Sequence, residues 1–187
     1  MSNRTNNLGT LLTFRFSVTA SGTPEQLTVK RRAATIGFSE NNASADTITD
    51  SGNGFLTAGF QPGDQITVSG SASNDGTYTI ATVAAGTITL LGRNDLTTEA
   101  AAATVTLTAP KSIPAGIVLN LKANKSNTGD ITVGYSSATA LNTAGASVIL
   151  DANESIGLQV DSTDIVWLDS TVSGETVEVW FEKNIQA

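Results

Sequence analysis

The chain has 187 residues, of which only 14% are charged, and seventeen acidic against ten basic residues give it a net charge of −7. This acidity disfavours nucleic-acid binding, since a protein that binds nucleic acid needs a basic surface. Cysteine and histidine are both absent, which excludes disulfides and thiolate chemistry and removes the commonest general base and metal ligand.

The first seven residues are polar and lack hydrophobic periodicity. They predict an N-terminal arm, residues 1–7, that is either frayed or ordered on a partner, and Arg4 in this arm is a candidate interface residue. The start of the chain also lacks the apolar run of a signal peptide, and no stretch is long enough to cross a bilayer. We therefore expect synthesis in a cytoplasm and no membrane partner.

Strand periodicity begins directly after the arm. Apolar residues occupy every second position from Leu12 to Val18, which predicts a strand with one buried face. A turn at 21–24 follows, and an extended course resumes at Glu25. The run Lys30-Arg31-Arg32 is either a solvated strand end or a contact with an acidic partner surface, because clustered charge steers encounter.

The composition changes between residues 34 and 109, where lysine is absent and Gly, Ser, Thr and Ala dominate. Short alternating runs recur there, separated by turn residues at the spacing typical of a small sandwich or barrel. The stretch 59–80 predicts two strands joined by a tight loop. We expect Asn74-Asp75-Gly76 to supply a residue that tolerates positive φ before the second strand, and residues 96–103 to form a helical turn or a loop.

Alternation resumes after Pro110 and continues to the last strand. The run Ile165–Leu168 is apolar on both parities, which predicts a strand covered on both faces. In the last strand, Val177, Val179 and Phe181 are predicted to point inward. Trp180 then points outward between two glutamates, so we expect either another part of the chain or a subunit or capsid contact to cover it.

Nearly every run in the chain has period two, so the sequence predicts an all-β protein, most simply a β-sandwich of jelly-roll or immunoglobulin-like type. Several of its turn and strand segments resemble a small β-sandwich module of tailed-bacteriophage structural proteins. These segments are residues 21–27 (SGTPEQL), 117–123, 127–134 (NTGDITVG), 152–156 (ANESI) and 172–175 (VSGE). The stretch 59–80, with the pattern GF-x-PGD-x-I-x-VSGS-x-x-NDGTYTI, is similar to another small β-module that recurs in phage virion and tail proteins.

These resemblances imply a domain organisation, because a long segment separates the first two pieces of the sandwich module. The parent sandwich comprises residues 8–33 and 110–187, and residues 34–109 form a second small β-barrel or sandwich inserted into it. The function that the resemblance implies is that of a virion structural protein, with capsid decoration or cementing as the leading interpretation. It would bridge subunits of the major capsid protein, form a homotrimer and lie on the capsid surface.

Two alternatives remain open at this point. The chain is alternatively a tail, baseplate or head-fibre component, or it is a carbohydrate-binding module on a virion surface. A carbohydrate-binding module requires two or three coplanar exposed aromatic side chains. Most of the ten aromatic residues of the chain have the parity of core positions. The candidate interface residues for the leading interpretation are Arg4, Lys30, Arg31, Arg32 and Trp180.

Catalytic and metal-binding patterns are weak, so we expect no enzyme, no cofactor and no metal. Ser112 follows Lys111 directly, but adjacent strand residues point to opposite faces, so the two do not predict a catalytic pair. Two sets of acidic residues are predicted to be solvated side chains or turn-formers rather than paired catalytic groups. They are Glu175, Glu178 and Glu182 in one set, and Asp161, Asp164 and Asp169 in the other. Residues 46–53 and 124–130 are rich in Asp and Asn but lack the spacing of an EF-hand.

Overall fold

The computed structural model describes residues 13–42, 44–93, 95–141 and 148–183. The predicted arm 1–7, with Arg4, lies outside these residues. The strands are β1 Thr13–Ser17, β2 Glu25–Gln26, β3 Val29–Ala33, β4 Ile36–Ser39, β5 Thr47–Asp50, β6 Gln65–Ser69, β7 Gly76–Ala84, β8 Thr87–Leu90, β9 Val105–Ala109, β10 Ile117–Ala123, β11 Ile131–Gly134, β12 Val148–Leu150, β13 Ser155–Leu158, β14 Trp167–Ser170 and β15 Thr176–Lys183. The helices are α1 Phe55–Ala58, α2 Ser137–Ala140 and a 3₁₀ turn at Thr163–Ile165.

The strands form three antiparallel sheets, which confirms the all-β prediction. Two four-stranded sheets have the orders β1-β15-β10-β13, called sheet A, and β12-β11-β14-β2, called sheet B. Both carry buried apolar side chains, such as Phe16 and Leu119 on sheet A and Ile131 and Leu168 on sheet B, that join one hydrophobic cluster. This arrangement is the expected β-sandwich.

Strand parity in sheet A follows the sequence pattern directly. Phe14 and Phe16 of β1 are buried between exposed polar neighbours. In β15, Val177, Val179 and Phe181 are buried, whereas Trp180 is half-buried on the opposite face. The predicted parity of the last strand is therefore confirmed, and Trp180 belongs to the face of sheet A that points away from the core.

The third sheet contains seven strands in the order β3-β9-β6-β7-β8-β5-β4. The first half of β7 pairs with β6 and its second half pairs with β8, with a register shift between Ile80 and Thr82. Among the described residues the pairing runs from β3 at one edge to β4 at the other without closing into a barrel. The sheet includes β3, residues 29–33, whereas the sequence analysis placed the start of the inserted domain at residue 34; that domain division stays a prediction.

Two local predictions need correction. Asn74-Asp75-Gly76 does not supply the left-handed residue of the β6–β7 hairpin, because among the described residues of this loop it is Gly70 that has a positive φ, of 85°. A Cβ at Gly70 would lie 2.8 Å from the Thr104 carbonyl oxygen, so this position is suited to glycine. The run 165–168 is not covered on both faces, because Ile165 lies in the 3₁₀ turn and is 41% exposed. Residues 96–103 form a loop with an isolated bridge between Phe38 and Glu99, which is one of the two predicted alternatives.

Candidate interaction surface

The residues of the SGTP, NTGD and VSGE segments lie in a group of turns at one end of the sandwich, and hydrogen bonds join these turns. The Glu175 carboxylate accepts hydrogen bonds from the Thr128 amide at 2.8 Å, the Thr128 hydroxyl at 2.9 Å and the Gly129 amide at 2.9 Å. Burial raises the pKa of Glu175, but these hydrogen bonds outweigh it and the pKa lies below its usual value. The prediction of a solvated Glu175 was therefore wrong, since the side chain is only 7% exposed and anchors the NTG turn.

Neighbouring contacts extend this anchoring. Asn127 exchanges two hydrogen bonds with the backbone of Thr176, at 3.0 and 3.1 Å. Asp169, predicted to flank a turn, accepts from the Gly22 amide at 3.0 Å and is fully buried. The Ser21 amide also donates to the Ser173 hydroxyl at 2.9 Å, so the SGTP, VSGE and NTGD segments meet in space. These turns therefore have a structural role.

The outward side of sheet A, which we call the outer face, carries the candidate interface residue Trp180. Trp180 lies between Thr13 of β1 and Asn120 of β10 in the strand register. In the next row of side chains on this face, Glu178 lies between Arg15 and Lys122. The strand pairing thus surrounds a half-buried tryptophan with polar and charged side chains from three strands.

The predicted basic cluster, in contrast, is largely engaged within the chain. Lys30 pairs with Glu25, donates to the Thr19 hydroxyl at 3.1 Å and lies 5.3 Å from the Phe16 ring centroid. Arg31 donates through Nε to Asp50 at 2.7 Å. Arg32 is exposed. The structure therefore does not bring the three basic side chains together as one free cluster.

The carboxylate that receives Arg31 is itself fully buried. Asp50 also accepts from the Thr35 hydroxyl at 2.5 Å and from the amides of Gly52 and Gly54 at 2.9 and 3.0 Å. Burial raises its pKa, but the hydrogen bonds from Arg31, Thr35 and the two amides prevail and hold the pKa far below the usual range. Asp50 therefore fixes the loop that follows β5, and Arg31 is part of that structural unit.

Two open grooves flank Arg15. One is about 550 Å³ in volume and is lined in part by Arg15, Lys30, Arg31 and Arg32. The other, of about 310 Å³, is lined in part by Arg15, Lys122 and Lys125. Six of the ten lysine and arginine residues of the chain therefore border two grooves that share one arginine.

Sequence reasoning missed three residues of this surface: Arg15, Lys122 and Lys125. Each is an isolated cation in the sequence. For Arg15 and Lys122, the strand pattern shows only that the side chain points outward. Arg15 and Lys122 lie on one face because β1 and β10 pair on either side of β15. The residue pattern of one strand does not specify which strands it pairs with.

The remaining chemistry is sparse. In residues 13–42, 44–93, 95–141 and 148–183, no group of three acidic, His or Cys side chains is placed to hold a metal ion. None of the helices described is long and apolar enough to span a membrane. Lys111 and Ser112, adjacent in sequence, differ sharply in exposure: the lysine is buried and the serine is exposed. Comparisons with protein-family models, curated proteins and solved structures find no match to this chain.

Proposed function

We propose that this protein is a structural component of a tailed-phage virion that decorates and cements the capsid by bridging subunits of the major capsid protein. The resemblance of its turn and strand segments to phage virion modules supports this proposal. Cementing requires complementary surface and no chemical step, and a standard protein contact buries on the order of 1,000 Å² or more. The polar turns that lock together through Glu175 provide the rigid support that such a surface needs.

The observation that carries the proposal is the position of Trp180 on the outer face. Its neighbours in the strand register are Thr13 and Asn120, and the charged row of Arg15 and Glu178 lies beside them. Tryptophan and arginine are the residues most enriched among those that dominate binding energy at protein interfaces, and polar surroundings are typical of the rim. The outer face has this composition.

The proposal includes a homotrimer on the capsid surface. A sandwich built from open sheets leaves strand edges that an assembly can cover, and β1 and β13 are the edges of sheet A. Sedimentation of the purified protein tests the trimer in solution. A cryo-EM map of purified particles tests the trimer on the particle and its location on the head. A monomer in both would contradict the trimer, and density at the tail instead of the head would contradict capsid decoration.

The interface itself is tested by Trp180→Ala in binding to phage heads that lack this protein. Loss of a central tryptophan contact costs roughly 2 kcal/mol or more, so binding should weaken by about thirty-fold while the melting temperature changes little. Tyr135→Ala is the matched control, because Tyr135 is an aromatic residue that is 65% exposed and lies directly after β11, a strand of sheet B. Unchanged particle binding per folded Trp180→Ala molecule would contradict the proposal, and so would binding of the wild type to a glycan array instead of to heads.

A further inference from the structure

The two grooves beside Arg15 form one continuous basic surface. We define the basic stripe as Arg15, Arg32, Lys122 and Lys125, the cations that line these grooves and are not held in a short ion pair. Arg15 belongs to both grooves, so the stripe passes from Arg32 on β3, across β1, to Lys122 on β10 and Lys125 in the turn after it. It is a local excess of positive charge on a chain with a net charge of −7.

The charges of the stripe are mostly uncompensated. Among the described residues, no carboxylate lies within ion-pair distance of Arg32, Lys122 or Lys125. Glu178 is the one acidic residue among those that line the two grooves, and it lines the groove of Lys122 and Lys125. Its 3.4 Å contact with Arg15 joins two side chains that are 45% and 62% exposed. An ion pair this exposed contributes little to stability, so Arg15 remains open to an external carboxylate.

The grooves also offer hydrogen-bonding groups beside the cations. Asn153 lines the groove that contains Lys122 and Lys125, and Asn53 and Thr57 line the other. Asn124 and Ser126 also line the first groove, but they are hydrogen-bonded to each other and Asn124 donates to Glu178. Carboxylates match this set, because a guanidinium binds a carboxylate through two parallel hydrogen bonds. Neutral amides and hydroxyls can bond the peptide groups between successive carboxylates.

We propose that the basic stripe binds an acidic segment of a partner polypeptide. The proposal rests on the interface role argued above and adds the chemistry of the partner. Four cations interrupted by Glu178 suit a short run of carboxylates. A nucleic acid is a poorer fit, since a long polyanion would also meet the negative potential of the rest of the chain.

The test measures binding of fluorescein-labelled decaglutamate to the full chain. Fluorescence anisotropy is the readout, at low and at physiological salt. The test variant is Arg32→Gln with Lys125→Gln, which removes one cation from each groove. The matched control is Arg93→Gln with Lys183→Gln, which removes the same two residue types from exposed positions outside both grooves. Labelled decathymidylate serves as the nucleic-acid probe.

We expect decaglutamate to bind the wild type, to weaken as salt is raised, and to weaken by about ten-fold in the test variant. The control should stay within about two-fold of the wild type, as exposed charges outside the contact contribute little. Three results would each overturn the proposal: no binding of decaglutamate to the wild type, equal losses in the test variant and the control, or tighter binding of decathymidylate. Equal melting temperatures exclude misfolding as the cause of a loss.

The outcomes also separate this proposal from the proposed function. If decaglutamate does not bind but head binding still depends on Trp180, the basic stripe is not the acidic-segment site and the capsid role stands. If decaglutamate binds through the stripe but heads are bound equally well by Trp180→Ala, the stripe stands and the capsid interface is contradicted.

Discussion

Lys111 and Asp64 form a buried ion pair that joins the segment after β9 to the turn before β6, with side chains that are 7% and 12% exposed. The backbone of Lys111 meanwhile exchanges hydrogen bonds with Thr163, at 2.9 and 3.0 Å. One residue therefore contacts both the seven-stranded sheet and the sandwich. Burial lowers the pKa of Lys111, and the hydrogen bond and charge of Asp64 oppose that shift.

The first prediction concerns this ion pair. Lys111→Met should lower the free energy of unfolding by roughly 3 kcal/mol, because it leaves the Asp64 carboxylate buried without its cation. Urea denaturation measures the change, and Lys125→Met, at an exposed lysine, should change stability by less than about 0.5 kcal/mol. In a double-mutant cycle with Asp64→Asn, a coupling energy near zero would show that the pair does not hold the two parts together.

The second prediction concerns the anchoring of the NTG turn. Glu175→Ala should cost about 2 kcal/mol of stability, since it leaves the amides of Thr128 and Gly129 without their acceptor. Thermal melting measures this loss. The control is Glu182→Ala at an exposed position of the same strand, and equal small effects of both substitutions would mean that the carboxylate is not a structural anchor.

The third prediction is acid sensitivity. Asp46 and Glu175 are buried, and for each the upward effect of burial on the pKa is outweighed by hydrogen bonds from backbone amides, so the folded-state pKa is lowered. A carboxyl group with a lowered folded-state pKa binds fewer protons in the folded protein than in the unfolded one. Its stabilisation is complete above the unfolded pKa, about 4, and is lost as the pH falls through the folded value.

Urea midpoints measured from neutral pH down to about pH 3 should therefore fall steeply below about pH 4. Glu175→Gln should be less stable at neutral pH but should show a shallower acid dependence, because one of the titrating groups is gone. A variant whose stability falls in parallel with the wild type at every pH would contradict the role of Glu175 in this dependence.

The fourth prediction tests the insertion predicted at residues 34–109, with its start moved to residue 29 because β3 belongs to the seven-stranded sheet. Val29 pairs with Ala109 in the register of β3 and β9, so the two ends of the seven-stranded segment are adjacent, as an insertion requires. Replacing residues 29–109 by a short Gly/Ser linker should leave a folded β-rich remainder, measured by circular dichroism and cooperative melting. We expect it to be less stable than the full chain, since it loses the pair between Lys111 and Asp64. An unfolded or insoluble remainder would contradict the domain division.

Much of this fold follows from local sequence pattern. Alternation alone identified β1 and β15 and assigned Trp180 to the face opposite Val179, because successive side chains of a strand necessarily point to opposite sides. The same pattern identified the β6–β7 hairpin. It misplaced the left-handed turn residue, since both Gly70 and Gly76 satisfy local turn chemistry. In the structure Gly70 has the positive φ and lies close to the Thr104 carbonyl.

Partners that lie far apart in sequence were decided by the tertiary structure. Glu175 and Asp169 have the local pattern of solvated turn residues, yet each is buried because a distant turn brings backbone amides to its carboxylate. Arg31 has the sequence context of a free cation, yet the buried Asp50 carboxylate, 19 residues further along the chain, accepts a hydrogen bond from it. The sequence by itself determined which face each side chain of β1 and β15 takes, because parity is a property of the strand. Only the register between strands, a non-local property, decided that Arg15 and Lys122 share one surface.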